Sequence, residues 1–247
     1  MNTRLNTGVA LAPFGPCGLY GGVSPAVPPT PFDLAASCAA LAELDPALGA
    51  VAASLPPLEP RRCPPGVAGL VWMIIGQQVS TASARAVWDR LEAATGGVTS
   101  ASLAALSDEA FRACGFSRQK TAYARALAQA ELAGELDMAA LARLDDLSAL
   151  AALLRLKGVG RWTAEAYLMM GEGRGDLFPG GDIALQEAVR WLDGLPTRPD
   201  TAQTYARAEG WSPHRTAASH ILWAWYVAVK AGELPHPITS PPLEEPA

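Results

Sequence analysis

The chain is short of the residues that build metal centres and disulfide scaffolds. Only 3 histidines and 4 cysteines occur among 247 residues. Cys17, Cys38, Cys63 and Cys114 are far apart and show no metal-type spacing. A structural zinc site and a disulfide framework are therefore excluded, and reduced thiols in a cytoplasmic protein are expected. No apolar run approaches the ~18–20 residues of a bilayer-spanning helix. The first residues also lack the charged start and continuous apolar core of a secretory signal. Basic residues are outnumbered, 19 against 24 acidic, giving a net charge of −5. That balance counts against wholesale binding of a polyanion, though it leaves room for a local basic face. Strand-type alternation is scarce as well. What remains is a chain rich in Ala and Leu, half hydrophobic, and long enough to bury a substantial all-α core in one or two domains.

Punctuation divides the chain. Residues 1–31 carry many Gly and Pro and no periodic apolar face, and read as a poorly ordered arm. Asp33 can cap a helix to about Leu44, and Asp45-Pro46 can start another. Five prolines between Pro56 and Pro65 make a stiff connection that closes a segment spanning 32–65. A core of 66–232 follows, then a polar tail, 233–247. Within the core, Gly66 to Gln78 reads as a buried helix, and Ser80 caps one running to about Ala94. Short helices fall near Ser102–Leu106 and Asp108–Cys114, and Ser117 caps Arg118–Leu132. Asp137–Arg143 and Leu147–Leu156 come next. Asp182 starts Ile183–Trp191, with Ile183, Val189 and Leu192 inward. Ser212-Pro213 supplies a cap and first turn for His214–Lys230.

The densest pattern runs from Leu150 to Arg190: LAALLRLKGVGRWTAEAYLMMGEGRGDLFPGGDIALQEAVR. Leu150, Leu153 and Leu154 recur at helical spacing, Gly158-Val159-Gly160 interrupts, and Ala164, Tyr167, Leu168 and Met170 resume. Two glycines two apart allow a sharp turn and leave no Cβ between the main chain and an approaching group. The amides of Arg161, Trp162 and Thr163 open the next helix without intrahelical partners and suit an anion, flanked by Lys157 and Arg161. Arg155 and Arg174 add to this basic cluster, and Arg118 and Lys120 follow another turn. Taken alone, a GxG between helices is also an ordinary hairpin, and an Asp before IALQEAV is a good N-cap.

LKGVGRWTAEAYL resembles the helix-hairpin-helix motif. Asp182 after a Gly/Pro-rich loop resembles the second half of the signature of helix-hairpin-helix DNA glycosylases. IIGQQVS at 74–80 and WSPHRTAASHILWAW at 211–225 extend the resemblance from about Asp33 to Lys230. Within that superfamily the chain is most similar to the 3-methyladenine DNA glycosylase II family. The resemblance implies an all-α fold of two helical lobes with the active-site cleft between them, without the extra β-rich domain of some members. It further implies a monomer acting on damaged double-stranded DNA in the cytoplasm, with no membrane association.

Residue by residue, the resemblance assigns Asp182 as the carboxylate beneath the sugar of a flipped nucleotide, steadying its oxocarbenium character. Trp162 and Trp223 become the aromatic walls for a cationic alkylated purine. Lys157, Gly158, Val159, Gly160, Arg161 and Thr163 form the DNA-binding hairpin. Gln78 becomes the wedge in the duplex and Gln77 its structural partner. A third aromatic of some relatives falls at Ala166, with Tyr167 one position off. The lysine with which lyase-active members attack the sugar falls at Trp162, and no cysteine follows Cys114. A monofunctional enzyme without an iron–sulfur cluster is therefore implied. The one ion the resemblance allows is a monovalent cation held by carbonyls around Lys157–Val159. Arg215 either contacts DNA or pairs with an acid. His214 and His220 are read as surface and packing residues, Asp176 as a loop residue. Two other readings stay open: a glycosylase for deaminated or mismatched bases, and a non-catalytic hairpin module that needs neither Asp182 nor the indoles.

Overall fold

The computed structural model describes residues 32–237; the arm expected at 1–31 and most of the expected C-terminal tail lie outside them. The described residues form thirteen α-helices and no strand. In chain order these are α1 (Leu34–Leu44), α2 (Pro46–Ala53), α3 (Gly66–Gly76), α4 (Thr81–Thr95), α5 (Ser100–Ala105), α6 (Asp108–Cys114) and α7 (Arg118–Leu132). They continue with α8 (Met138–Leu141), α9 (Asp146–Leu154), α10 (Arg161–Met170), α11 (Ile183–Leu192), α12 (Thr201–Ala208) and, after a 3-10 turn, α13 (Arg215–Lys230). Local chemistry sets most of the starts. Asp33, Asp45, Ser80, Ser117, Asp182 and Asp200 each accept a first-turn amide with the side chain.

Two lobes result. In the first, α3 is apolar all round and lies beneath α4, α7 and α10, burying Leu70, Val71, Ile74 and Ile75 almost completely. In the second, α13 packs against α11 on one side and against α1 and α2 on another. Ala217, Ala218, Ile221 and Leu222 are its sealed face. Each large apolar side chain so buried contributes about 1.5–3 kcal/mol. The Pro-rich strap after α2 and the loop from α10 to α11 join the lobes. The strap is pinned where the Cys63 amide donates to the Met170 carbonyl at 3.1 Å.

Three sequence expectations fail here, two of them to partners distant in the chain. Arg174 does not belong to a basic surface: it is fully buried. Its guanidinium donates to Glu172 at 2.8 Å, Asp146 at 2.9 Å, and the Leu144 and Leu141 carbonyls at 2.8 and 3.0 Å, tying the α10–α11 loop to the start of α9. Ser212 does not cap the last helix. His214 precedes it without a side-chain cap, and the Ser212 hydroxyl donates instead to Asp176 at 2.8 Å. Ile183 is 62% exposed, not inward, because Leu185, Ala188 and Val189 already cover the core face of α11; Val189 is buried as expected, and Leu192 is half-buried.

Candidate functional site

The α10–α11 loop ends in Gly180-Gly181-Asp182, and Asp182 sits half-buried at the mouth of α11. One carboxylate oxygen accepts the Ala184 and Leu185 amides at 2.8 and 3.2 Å. The other accepts the Trp162 indole N–H at 2.8 Å. Both oxygens are thus aimed by fixed donors at the positive end of the α11 dipole. Gly180 is pressed on the Tyr205 ring, where an added Cβ would lie 3.0 Å from ring carbons, whereas a Cβ at Gly181 would meet nothing within 4 Å. The approach to Asp182 is therefore open on the Gly181 side.

Trp223 reaches the same region from α13 and is 5% exposed. Its ring carries the Arg61 guanidinium, with Cζ 5.1 Å from the centroid. Desolvation holds the Arg61 guanidinium below its ordinary pKa, and the Asp182 carboxylate acts in the opposite sense, so these two charges share one local field. Trp225, in contrast, is core, edge-on to Trp191 at 5.6 Å. Ala166 is sealed in the interior, and so is Tyr167, whose hydroxyl accepts the Gly66 amide at 3.1 Å. Neither opens onto the Asp182 region. Arg215 resolves as the partner of an acid: its Nε and Nη2 meet the two Asp176 oxygens at 2.7 and 2.8 Å.

The α9–α10 hairpin turns on Gly158, whose φ of +86° and contact with the Tyr123 ring both require the absence of a Cβ. Val159 is buried beneath the turn, while Lys157 and Gly160 are exposed. Gly160 begins α10 with no side-chain cap, unlike the starts of α4, α7 and α11, so the first amides of that helix have no side-chain acceptor. Arg161 is turned partly inward: it pairs with the buried Glu165 at 2.9 Å and lies 4.5 Å over the Tyr205 ring. Thr163 is buried, and its hydroxyl accepts from Gln77 Nε2 at 3.0 Å. Gln77 Nε2 also donates to the Gly158 carbonyl at 3.3 Å, so the α3–α4 junction and the hairpin are one unit. Beside Gln77, Gln78 is exposed at a left-handed φ of 58°, followed by Val79, 45% exposed. Gln77, Gln78, Lys120, Tyr123 and the hairpin glycines line a polar cleft of about 350 Å³.

Several of these residues carry no local signal. Lys120 Nζ donates to the Ile75 and Gln77 carbonyls at 2.7 and 2.9 Å, satisfying the end of α3, and desolvation pulls its pKa down. Glu165 and Tyr205 bond at 2.7 Å behind the hairpin. Arg61 is one of two arginines in a Pro-rich stretch, with no motif to single it out.

A helical hairpin with uncapped first amides, beside a carboxylate fixed at the mouth of the next helix, suits contact with a phosphate chain. The chain matches the model of the HhH-GPD superfamily base excision DNA repair proteins over residues 71–214 and belongs to that superfamily. It is 30% identical over 158 residues to DNA-3-methyladenine glycosylase 1 of Schizosaccharomyces pombe, covering 62% of this chain and 69% of that protein. It is 31% identical over 121 residues to the putative DNA-3-methyladenine glycosylase YfjP of Bacillus subtilis, covering 49% of this chain but only 42% of that protein. Among solved structures, the S. pombe 3-methyladenine DNA glycosylase Mag1 in complex with abasic DNA superimposes with a TM-score of 0.72 at 26% identity, covering 83% of this chain and all of that one.

Proposed function

We infer that this chain is a DNA glycosylase of base-excision repair that hydrolyses the N-glycosidic bond of alkylated bases. The superfamily match and the likeness to proteins named 3-methyladenine glycosylases support the reaction class. The observation that carries the finer reading is the Asp182 carboxylate, locked between the α11 amides and the Trp162 indole beside an open glycine bend.

The geometry and the family resemblance together support the following steps. Phosphates of the damaged strand dock on the uncapped amides at the start of α10, with Lys157 alongside. Gln78, presented outward at the α3–α4 junction, fills the gap as the nucleotide leaves the stack. Flipping costs roughly a few kcal/mol and is easiest for a damaged base. The base enters between Trp162 and Trp223, whose electron-rich faces hold a cationic purine with about 0.5–2 kcal/mol each. As the bond to C1′ breaks, electrons leave with the base and positive charge grows on the sugar. Asp182 stabilises it and orients the attacking water. An alkylated purine such as 3-methyladenine or 7-methylguanine is already cationic and leaves without a general acid. With Trp162 in place of an amine, no Schiff base forms, and the enzyme is monofunctional.

The test is release of free base from duplexes carrying 3-methyladenine, 7-methylguanine, hypoxanthine, ethenoadenine or uracil. Wild type is expected to release the methylated purines without strand cleavage. Asp182→Asn is expected to lower release by a factor of 100 or more, roughly the worth of one preorganised charge, while duplex binding persists. Release by the Asn variant at the wild-type rate would remove Asp182 from the mechanism.

A further inference from the structure

The strap before α3 does more than join the lobes. Its prolines at 56, 57, 60, 64 and 65 stiffen it, and two long-range bonds fix its course around Arg61. The Arg61 amide donates to His220 Nε2 at 3.0 Å, and the Cys63 amide to the Met170 carbonyl at 3.1 Å. With its main chain so held, Arg61 lays a planar cation on the Trp223 ring, where the Asp182 charge also reaches it. A guanidinium there has the charge and the flatness of an alkylated purine.

We propose that Arg61 is an occluding residue of the base pocket, whose guanidinium covers the Trp223 face until an entering base displaces it. This rests on the functional reading above, in which Trp223 is a pocket wall. Every base must give up the Arg61–Trp223 contact to enter. A cationic base restores an equivalent contact on the same indole and gains the Asp182 field. A neutral base restores only stacking. The contact given up is the same for either base, so Arg61 lowers the occupancy of all bases by one common factor, while the indole and Asp182 discriminate between them. At the strength of a partly exposed cation–π contact, that factor is about two- to fivefold.

The experiment compares single-turnover release of hypoxanthine and 7-methylguanine from otherwise identical duplexes. Wild type is set against Arg61→Met, which keeps the stem without the charge, and Arg61→Lys, which keeps the charge. Release of both bases is expected to rise about two- to fivefold in the Met variant, with their ratio unchanged, and to stay nearer wild type in the Lys variant. Release of either base unchanged or slowed in the Met variant overturns the proposal. If wild type releases neither base, the functional reading itself fails, a result distinct from an active enzyme indifferent to residue 61.

Discussion

Trp162 has two tasks at the scale of the single residue. In the proposed mechanism its ring is an aromatic wall, and its N–H holds the Asp182 oxygen left over once the α11 amides have taken the other. Trp162→Phe keeps a ring and deletes the donor. A hydrogen bond to a charged group contributes about 1.5–3 kcal/mol, so base release should slow roughly ten- to a hundredfold with duplex affinity little changed. Full activity in the Phe variant would show that the amides alone orient the carboxylate. Arg161 gives a second lesson. It follows GVG in sequence, and in the fold its guanidinium pairs with Glu165 and Tyr205 while Lys157 stays exposed.

Among the elements, the hairpin separates two uses of glycine. Gly158 cannot take a side chain: its φ is +86°, and a Cβ would stand 2.3 Å from the Tyr123 ring. Gly160 has an ordinary φ of −84° and open space where a Cβ would go. Gly158→Ala should therefore destabilise the fold by at least about 1 kcal/mol, seen as a lowered Tm. Gly160→Ala should melt as wild type does but bind duplex DNA several-fold more weakly, since its methyl stands where a phosphate approaches. If Gly160→Ala binds DNA like wild type, the uncapped amides of α10 are not the docking point.

Over the whole molecule, one buried histidine ties the second lobe to the strap. His220 is 3% exposed; its Nδ1 lies 2.8 Å from the Thr216 carbonyl and its Nε2 accepts from Arg61, which requires the neutral ring. Burial holds its pKa below the ordinary value, with the Arg61 charge acting in the same sense and the Thr216 bond in the other. A group depressed in the folded state binds its proton more readily when unfolded. Its stabilisation is therefore whole above an unfolded pKa of about 6.5 and is lost as pH falls below that, at up to about 1.4 kcal/mol per pH unit. The Tm of wild type should drop between pH 7.5 and 5 by more than that of His220→Gln. Parallel curves for the two proteins would rule out His220 as the titrating group.

Helix starts, the apolar stripe of α3 and the hairpin turn were legible in the chain because they depend on neighbours within a few residues: a side-chain oxygen three positions before an amide, a repeat of 3.6, a glycine where φ is positive. The motif around GVG and Asp182 was legible for the same reason, its parts being close in sequence. Arg174, Ser212, Arg215 and Arg61 were not. Their partners are distant in the chain, 159 positions away for the Arg61 amide, and a charged residue looks the same in sequence whether it ends in solvent, in an ion pair or on an indole. Which of these it meets is decided only when the lobes close and water is removed. The sequence by itself thus determined the helices and the carboxylate that caps α11; the tertiary structure alone decided what surrounds that carboxylate and which cation covers the Trp223 ring.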